Sequence, residues 1–474
     1  MRAHDICVRL MPHLNMKAGL IASLLACLLA ACTLGQNFVR PQLPETTWHA
    51  PLPHGGKVEN LSRWWEQMDD ALLTQLITQA EKNNPTLDQA LAKLAEARAN
   101  LGASQAAGGP VLGANTGITR SKSVFGQQVF LQTVGRFGFD AGWELDLFGR
   151  NRRSHEAAQA RLGAGEAGWH DARISLAAEV ADSYVGLRAC EGSLALIEKS
   201  LASQRITSDL VSLRKDSGFA SALDWARSQA VQAQSASALE AKKSDCAHLV
   251  NQLVALTGMT HEALQGSLAA RRGVIPVPAE ITLDQVAAHA LSQRPDVFIA
   301  EFNLAAASAD IAVAQADLYP SLTLLGSIGV NRISINGTNS NASTWSFGPS
   351  VNIPLFDGGK RAASRDASKA RYDYALAGYQ KVVREAVREI EDALQRLDAA
   401  NQRLALSGAA HKQHQAMQQA VAERYGAGMA SRLDAEDAAR TLLQGQDNLL
   451  VSQRESVAAW IAVYKALGGG WTSY

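Results

Sequence analysis

Between Arg136 and Leu147 the chain alternates without a break. Phe137, Phe139, Ala141, Trp143, Leu145 and Leu147 stand against Arg136, Gly138, Asp140, Gly142, Glu144 and Asp146. A period of two over that length predicts a strand with one apolar and one polar face. Trp345 to Leu355 repeats the pattern, with Trp345, Phe347, Val351, Ile353 and Leu355 against Ser346, Gly348, Ser350 and Asn352. Leu322, Leu324, Ile328 and Val330 mark a strand paired with it, and Leu112 to Ile118 is the weaker counterpart in the first half.

Elsewhere the period lengthens. Leu176, Val180, Ser183, Leu187, Cys190, Leu194, Ile197 and Leu201 follow 4-3 spacing, as do Val383, Val387, Ile390, Leu394, Leu397 and Leu404. Leu442, Leu449, Trp460, Val463 and Leu467 carry it towards the C-terminus. This is coiled-coil spacing, and the small residues between predict narrow seams. None of the 13 prolines lies between Pro110 and Pro276 or after Pro354. Rods of about 60 residues, roughly 90–100 Å long, are therefore unobstructed. Gly218 in one rod, and Gly426 with Gly428 in the other, stand where each should reverse into an αα-hairpin.

The two sets of elements are copies. Asn84-Pro85 matches Arg294-Pro295, Gly109-Pro110 matches Tyr319-Pro320, Trp143 to Phe148 matches Val351 to Phe356, and Gly218 to Asp224 matches Gly428 to Asp434, at offsets of 210, 210, 208 and 210 residues. So long a period implies two copies of one fold unit rather than a solenoid. Each copy opens with a helix pair, marked by Leu72, Leu73, Leu76, Ile77 and Ala80 then Leu87, Ala90, Leu91 and Leu94, and by Leu283, Val286, Ala287, Ala290 and Leu291 then Ile299, Phe302 and Leu304. The expected division is 1–31 signal, 32–60 extended strap, 61–270 first repeat and 271–474 second repeat.

The N-terminus supplies the compartment. Lys17 precedes the apolar run Ala18 to Ala31, which is too short to span a bilayer and fits an export signal starting at Met1 or Met16. Leu29-Ala-Ala-Cys32 resembles the bacterial lipoprotein box, making Cys32 the expected acylated residue, and Thr33 after it favours the outer membrane. Four strands of about ten residues, apolar on one side only, fit a transmembrane β-barrel. Four strands cannot close a barrel, and open edges cannot face lipid, so several chains must share one.

Composition narrows the function. Forty-five basic residues balance 45 acidic ones, and removing 1–31 leaves 42 and 44. No basic excess points to nucleic acid. There is no Gly-rich phosphate loop, His-Glu-x-x-His or Cys-x-x-Cys pair. His411 and His414 lack a third ligand, and Ser183, Ser221 and Ser431 lack a triad context. No enzyme activity and no cofactor beyond the lipid on Cys32 are expected. Cys190 and Cys246 lie level across the first hairpin, since their mean position is 218. The periplasm is oxidising, but helices 8–10 Å apart exceed the reach of a disulfide, which favours two buried thiols.

Trp143-Glu-Leu-Asp-Leu-Phe-Gly-Arg150, Arg294-Pro-Asp296, Pro354-Leu-Phe-Asp-Gly-Gly359, Arg424-Tyr425 with Gly428, Ser431 and Leu433-Asp434, and Leu467-Gly-Gly-Gly-Trp471 together resemble the TolC-like outer membrane factors, most closely the NodT/OprM-type lipoproteins. The resemblance implies a mainly α fold with a small transmembrane β part. It implies a homotrimer whose chains give four strands each to a 12-stranded barrel above a periplasmic helical tunnel. It also implies a periplasmic adaptor and an inner-membrane pump, often of the resistance-nodulation-division class, with this chain as their passive duct. A secretion duct served by an ATP-binding transporter and a non-transporting coiled-coil scaffold are the alternatives. On this reading Gly218, Ser221, Gly428 and Ser431 at the hairpin tips dock the adaptor. Asp434, Asp437 and Arg440, with Asp224 and Arg432 as further partners, form the periplasmic gate. Ala435-Glu436 replaces the apolar pair usual between the two gate aspartates and leaves the manner of closure open.

Overall fold

The structure is a computed structural model, and residues 34–43, 61–278 and 290–469 are described. Cys32, Leu283, Val286, Ala287 and Trp471 lie outside the described residues. The fold is mostly helical with one small antiparallel sheet. In chain order, a 3-10 segment Leu61–Met68 is followed by α1 (Ala71–Asn83), α2 (Pro85–Ala107), β1 (Val111–Phe125), β2 (Gln128–Leu145), α3 (Arg150–Asp216), α4 (Ala222–Thr257) and α5 (His261–Leu268). Then come α6 (Pro295–Ala316), β3 (Ser321–Ile335), β4 (Thr338–Asn352), α7 (Lys360–Gly426) and α8 (Arg432–Ala466). The described residues divide into two compact units, one holding residues 34–41, 93–166 and 299–380, the other holding residues 42–43, 61–92, 167–278, 290–298 and 381–469.

The first unit contains the sheet. Its order is β1-β2-β3-β4, antiparallel throughout. Both hairpins turn on two residues, Gly126-Gln127 and Asn336-Gly337, and Asn336 (φ 46°) with Gly337 (φ 92°) makes the Asn-Gly turn that suits strand twist. The registers keep the alternation in phase across strands. Ala114, Phe139, Ile328 and Trp345 form one apolar row, and Leu112, Ala141, Gly326 and Phe347 the next. The opposite face carries Asp140 with Ser327 and Ser346, where the two serine hydroxyls lie 2.8 Å apart, and Asn115 donates to Asp140. Gly138 and Gly329 sit opposite each other; a Cβ on Gly329 would lie 2.8 Å from the Phe137 carbonyl oxygen. Only glycine permits that approach.

The second unit is helical. The 4-3 seam of α3 is buried at Leu176, Val180, Ser183, Leu187 and Cys190, and that of α7 at Val383, Ile390, Leu394 and Leu397. At 67 residues each, α3 and α7 are about 100 Å long. Leu91 of α2 is 45% exposed, so it does not share the buried stripe of Leu87 and Leu94. Aromatic residues, sparse overall, gather where Trp64 packs against Tyr464 (4.7 Å between centroids) and Trp460 (5.4 Å). Arg188 is fully buried against Tyr184 and donates to Glu191 and the Leu268 carbonyl, both at 2.9 Å. Tyr184 in turn donates to Asp70, the N-cap of α1; burial, ahead of these contacts, pushes the Tyr184 phenol up to about 12.

Cys190 and Cys246 form a disulfide, with Cα atoms 5.6 Å apart. This corrects the expectation of two free thiols. That expectation used an average separation of packed helices, whereas here the helices come closer, and Gly186, one turn from Cys190, lets Leu249 approach.

Candidate functional site

Both hairpin tips are built the same way. Gly218 (φ 76°) and Gly428 (φ 72°) take the left-handed conformation that ends α3 and α7. The following amides close Schellman motifs, Phe219 donating to the Arg214 carbonyl at 2.7 Å and Met429 to that of Arg424 at 2.8 Å. Ser221 and Ser431 then start α4 and α8 with capping boxes, each hydroxyl accepting from the amide of Asp224 or Asp434 while that carboxylate accepts from the serine amide. These bonds hold both carboxyls below the usual range, through the Ser221 hydroxyl first at Asp224 and the Ser431 amide first at Asp434. The turns leave Phe219 77% and Met429 66% exposed.

A polar cluster lies behind the second tip. Arg440 pairs with Asp437 and donates to the Ser203 and Thr207 hydroxyls on α3, at 3.2 and 2.7 Å. Glu436 is buried; it accepts from Ser203 at 2.6 Å and pairs with Arg432 at 2.7 Å. The structure thus brings Asp437 and Arg440 together but commits Asp434 and Asp224 to capping. Arg432 is occupied by Glu436 and the Tyr425 ring. The sequence reading missed Ser203 and Thr207, whose partners lie more than 230 residues away along the chain. It also missed Arg153. This buried side chain donates to the Leu34 and Gly35 carbonyls and to Asn37, at 3.3, 3.1 and 3.0 Å, holding the segment that follows Cys32.

Among the described residues no group of three or more His, Cys, Asp or Glu is placed to hold a metal ion. The arrangement is one of surfaces: an amphipathic open sheet, two exposed tips and an ion-paired cluster between long helices. The family model described as outer membrane efflux protein matches residues 76–259 and 286–469. The chain belongs to the outer membrane efflux protein family.

Within this family, Outer membrane protein OprJ of Pseudomonas aeruginosa is 30% identical over 463 residues, covering 96% of both chains. Nodulation protein T of Rhizobium leguminosarum bv. viciae is 28% identical, covering 96% of this efflux protein and 94% of that one. Toluene efflux pump outer membrane protein TtgI of Pseudomonas putida is 29% identical over 94% of this chain and 97% of that one. Among solved structures, the outer-membrane channel OprN superposes with a TM-score of 0.82 at 30% identity, covering 93% of this chain and 100% of that one. VceC of Vibrio cholerae superposes with a TM-score of 0.74 at 26% identity, covering 86% and 99%. This efflux protein is accordingly an outer-membrane channel, and its family is one of ducts rather than enzymes. The two matched segments begin 210 residues apart (286 − 76).

Proposed function

We propose that three copies of this chain close a 12-stranded barrel and form the exit duct of a tripartite exporter for small molecules such as drugs. The observation that carries the reading is the open sheet: β1 and β4 each present an unpaired edge, 15 residues long, beside continuous apolar rows. In lipid such edges must pair, and pairing β4 of one chain with β1 of the next satisfies both. Acyl chains on Cys32 would hold the N-terminal segment at the membrane, with Arg153 fixing its course. The tips, with Phe219 and Met429 exposed beside Gly218, Ser221, Gly428 and Ser431, dock a periplasmic adaptor, which couples the duct to an inner-membrane pump of the resistance-nodulation-division class. The Asp437–Arg440 pair, tied to Ser203 and Thr207, holds α8 against α3 and acts as the gate.

Reconstitution in planar bilayers tests the duct. Purified protein should run as a trimer and give steady single-channel currents, and Asp437→Ala/Arg440→Ala should enlarge them and increase antibiotic leak in cells. Insertion without conductance would instead fit a scaffold. Wild-type currents in the double variant would move the constriction away from these residues.

A further inference from the structure

The faces of the sheet differ in where they carry charge. Its six charged residues are Arg120, Lys122, Arg136, Asp140, Glu144 and Arg332. Arg136, Asp140 and Glu144 share the polar face with Asn331, Ser327 and Thr323. Arg120, Lys122 and Arg332 break the alternation, because the register puts them on the apolar face. Arg332 lies opposite Gly135, which lies opposite Ile118; Arg120 and Lys122 pair with Thr133 and Leu131 on that same face. All three are exposed. Among the described residues none forms an ion pair, and neither acidic residue of the sheet is on their side.

Their height is as telling as their face. Leu145, paired with Leu322 and through it with Val351, marks the end of the apolar rows nearest the helices. From Leu145 the Arg332 row is ten residues along β2, the Arg120 row twelve and the Lys122 row fourteen, or about 33, 40 and 46 Å at 3.3 Å each. A strand tilt of about 40° reduces these to roughly 25, 30 and 35 Å, against the ~25 Å height of the lipid-facing band in outer-membrane barrels. Arg332 therefore stands where the hydrocarbon ends on the hairpin-turn side, and Arg120 and Lys122 stand about 5 and 10 Å beyond it, at headgroup depth. An uncompensated cation in the apolar band is costly, whereas at its rim it meets headgroups. Gly135, without a side chain, leaves the surface between Ile118 and Arg332 open.

We propose that Arg120, Lys122 and Arg332 form a binding site for the phosphate groups of lipids in the leaflet facing the hairpin turns. The proposal rests on the reading that this sheet spans the membrane. The occupant is a phosphate carried on an acyl-chain lipid, since the cations continue an apolar surface that acyl chains cover.

The test uses the full-length channel in phosphatidylcholine discs doped with labelled phosphatidic acid, or with diacylglycerol of the same chains. Label retained per channel after detergent extraction is read for wild type, for Arg120→Gln/Lys122→Gln/Arg332→Gln and for Arg136→Gln, which removes a cation from the opposite face. Wild type should retain phosphatidic acid at least tenfold more strongly than the triple variant, and on the order of a hundredfold if the three charges act independently. Arg136→Gln should behave as wild type, and diacylglycerol retention should be alike in all. Equal phosphatidic acid retention by wild type and triple variant, in channels that insert and conduct, would overturn the site while leaving the membrane reading intact. So would an equal loss in Arg136→Gln. Failure of the wild type to insert or conduct would remove the membrane reading and the site together.

Discussion

Cutting the Cys190–Cys246 disulfide should loosen one hairpin and leave the other alone. The cross-link joins residues 56 apart in sequence. Closing a loop of that length in the unfolded chain corresponds, in the chain-entropy treatment, to about 4 kcal/mol at 25 °C. Native cross-links deliver about 2–4 kcal/mol, because the open state retains helix. Cys190→Ala/Cys246→Ala therefore lowers the opening free energy of the α3–α4 pair by that amount. Amide exchange between residues 196 and 240 should accelerate by roughly 30-fold to about 1,000-fold. The second hairpin is the internal control. Adding the repeat offset to 190 and 246 gives Ala400 and Ser456, where a 2.8 Å hydrogen bond from Ser456 to Asn401 stands in place of a covalent link. Its exchange should not change. Mass spectrometry of the assembled channel, with peptides from both hairpins in one experiment, reads the difference. Unchanged exchange in the first hairpin would refute the entropic reasoning, and equal acceleration in both would mean that the cross-link acts through the assembly.

Other outcomes follow from single contacts. Gly329→Val places a Cβ against the Phe137 carbonyl, as close as 2.8 Å, and should sharply reduce heat-resistant, membrane-inserted channel on unboiled gels, whereas Gly348→Val, with open space around it, should not. Arg153→Ala removes three bonds to residues 34–37 and should expose that segment to limited proteolysis without altering conductance. Asp224 and Asp434 have lowered carboxyl pKa values in the folded chain. Their contribution is complete above the ordinary carboxylate range near 4 and is lost as pH falls through the lower folded values. Amide exchange at both tips, corrected for intrinsic rates, should rise below about pH 4, and Asn in place of either aspartate should remove most of that pH dependence at its own tip and leave the other tip unchanged.

Much of this architecture was legible because it is local. Alternation from Arg136 to Leu147 predicted β2 and its faces, and the absence of proline predicted helices that reach Asp216 and Gly426. Gly218 and Gly428 marked the reversals because few other residues tolerate a positive φ there. What escaped depends on contacts between distant segments. Nothing near Glu436 reveals that it is buried under Ser203, and nothing near Arg153 reveals the chain segment it grips. The spacing of Asp434 to Asp437 did not reveal that Asp434 also closes the Ser431 capping box. The disulfide was misjudged because an average interhelical distance stood in for a local one.

The pairing of β2 with β3 fixes an order of events in assembly. Within each strand pair the partners are neighbours in the chain, but β2 meets β3 across sequence separations from 177 (Leu145 to Leu322) to 203 (Gln132 to Ile335). A chain delivered N-terminus first completes the first hairpin long before its partner strand arrives. Through that interval the inner edge of β2 is as bare as the outer edge of β1, and both are templates for wrong pairing. Collapse of α3 against α4 shortens the loop that the sheet must then close and lowers its entropic cost. Slow pairing of the two hairpins, with strand edges left bare until residue 335 is delivered, is thus written into the strand order itself.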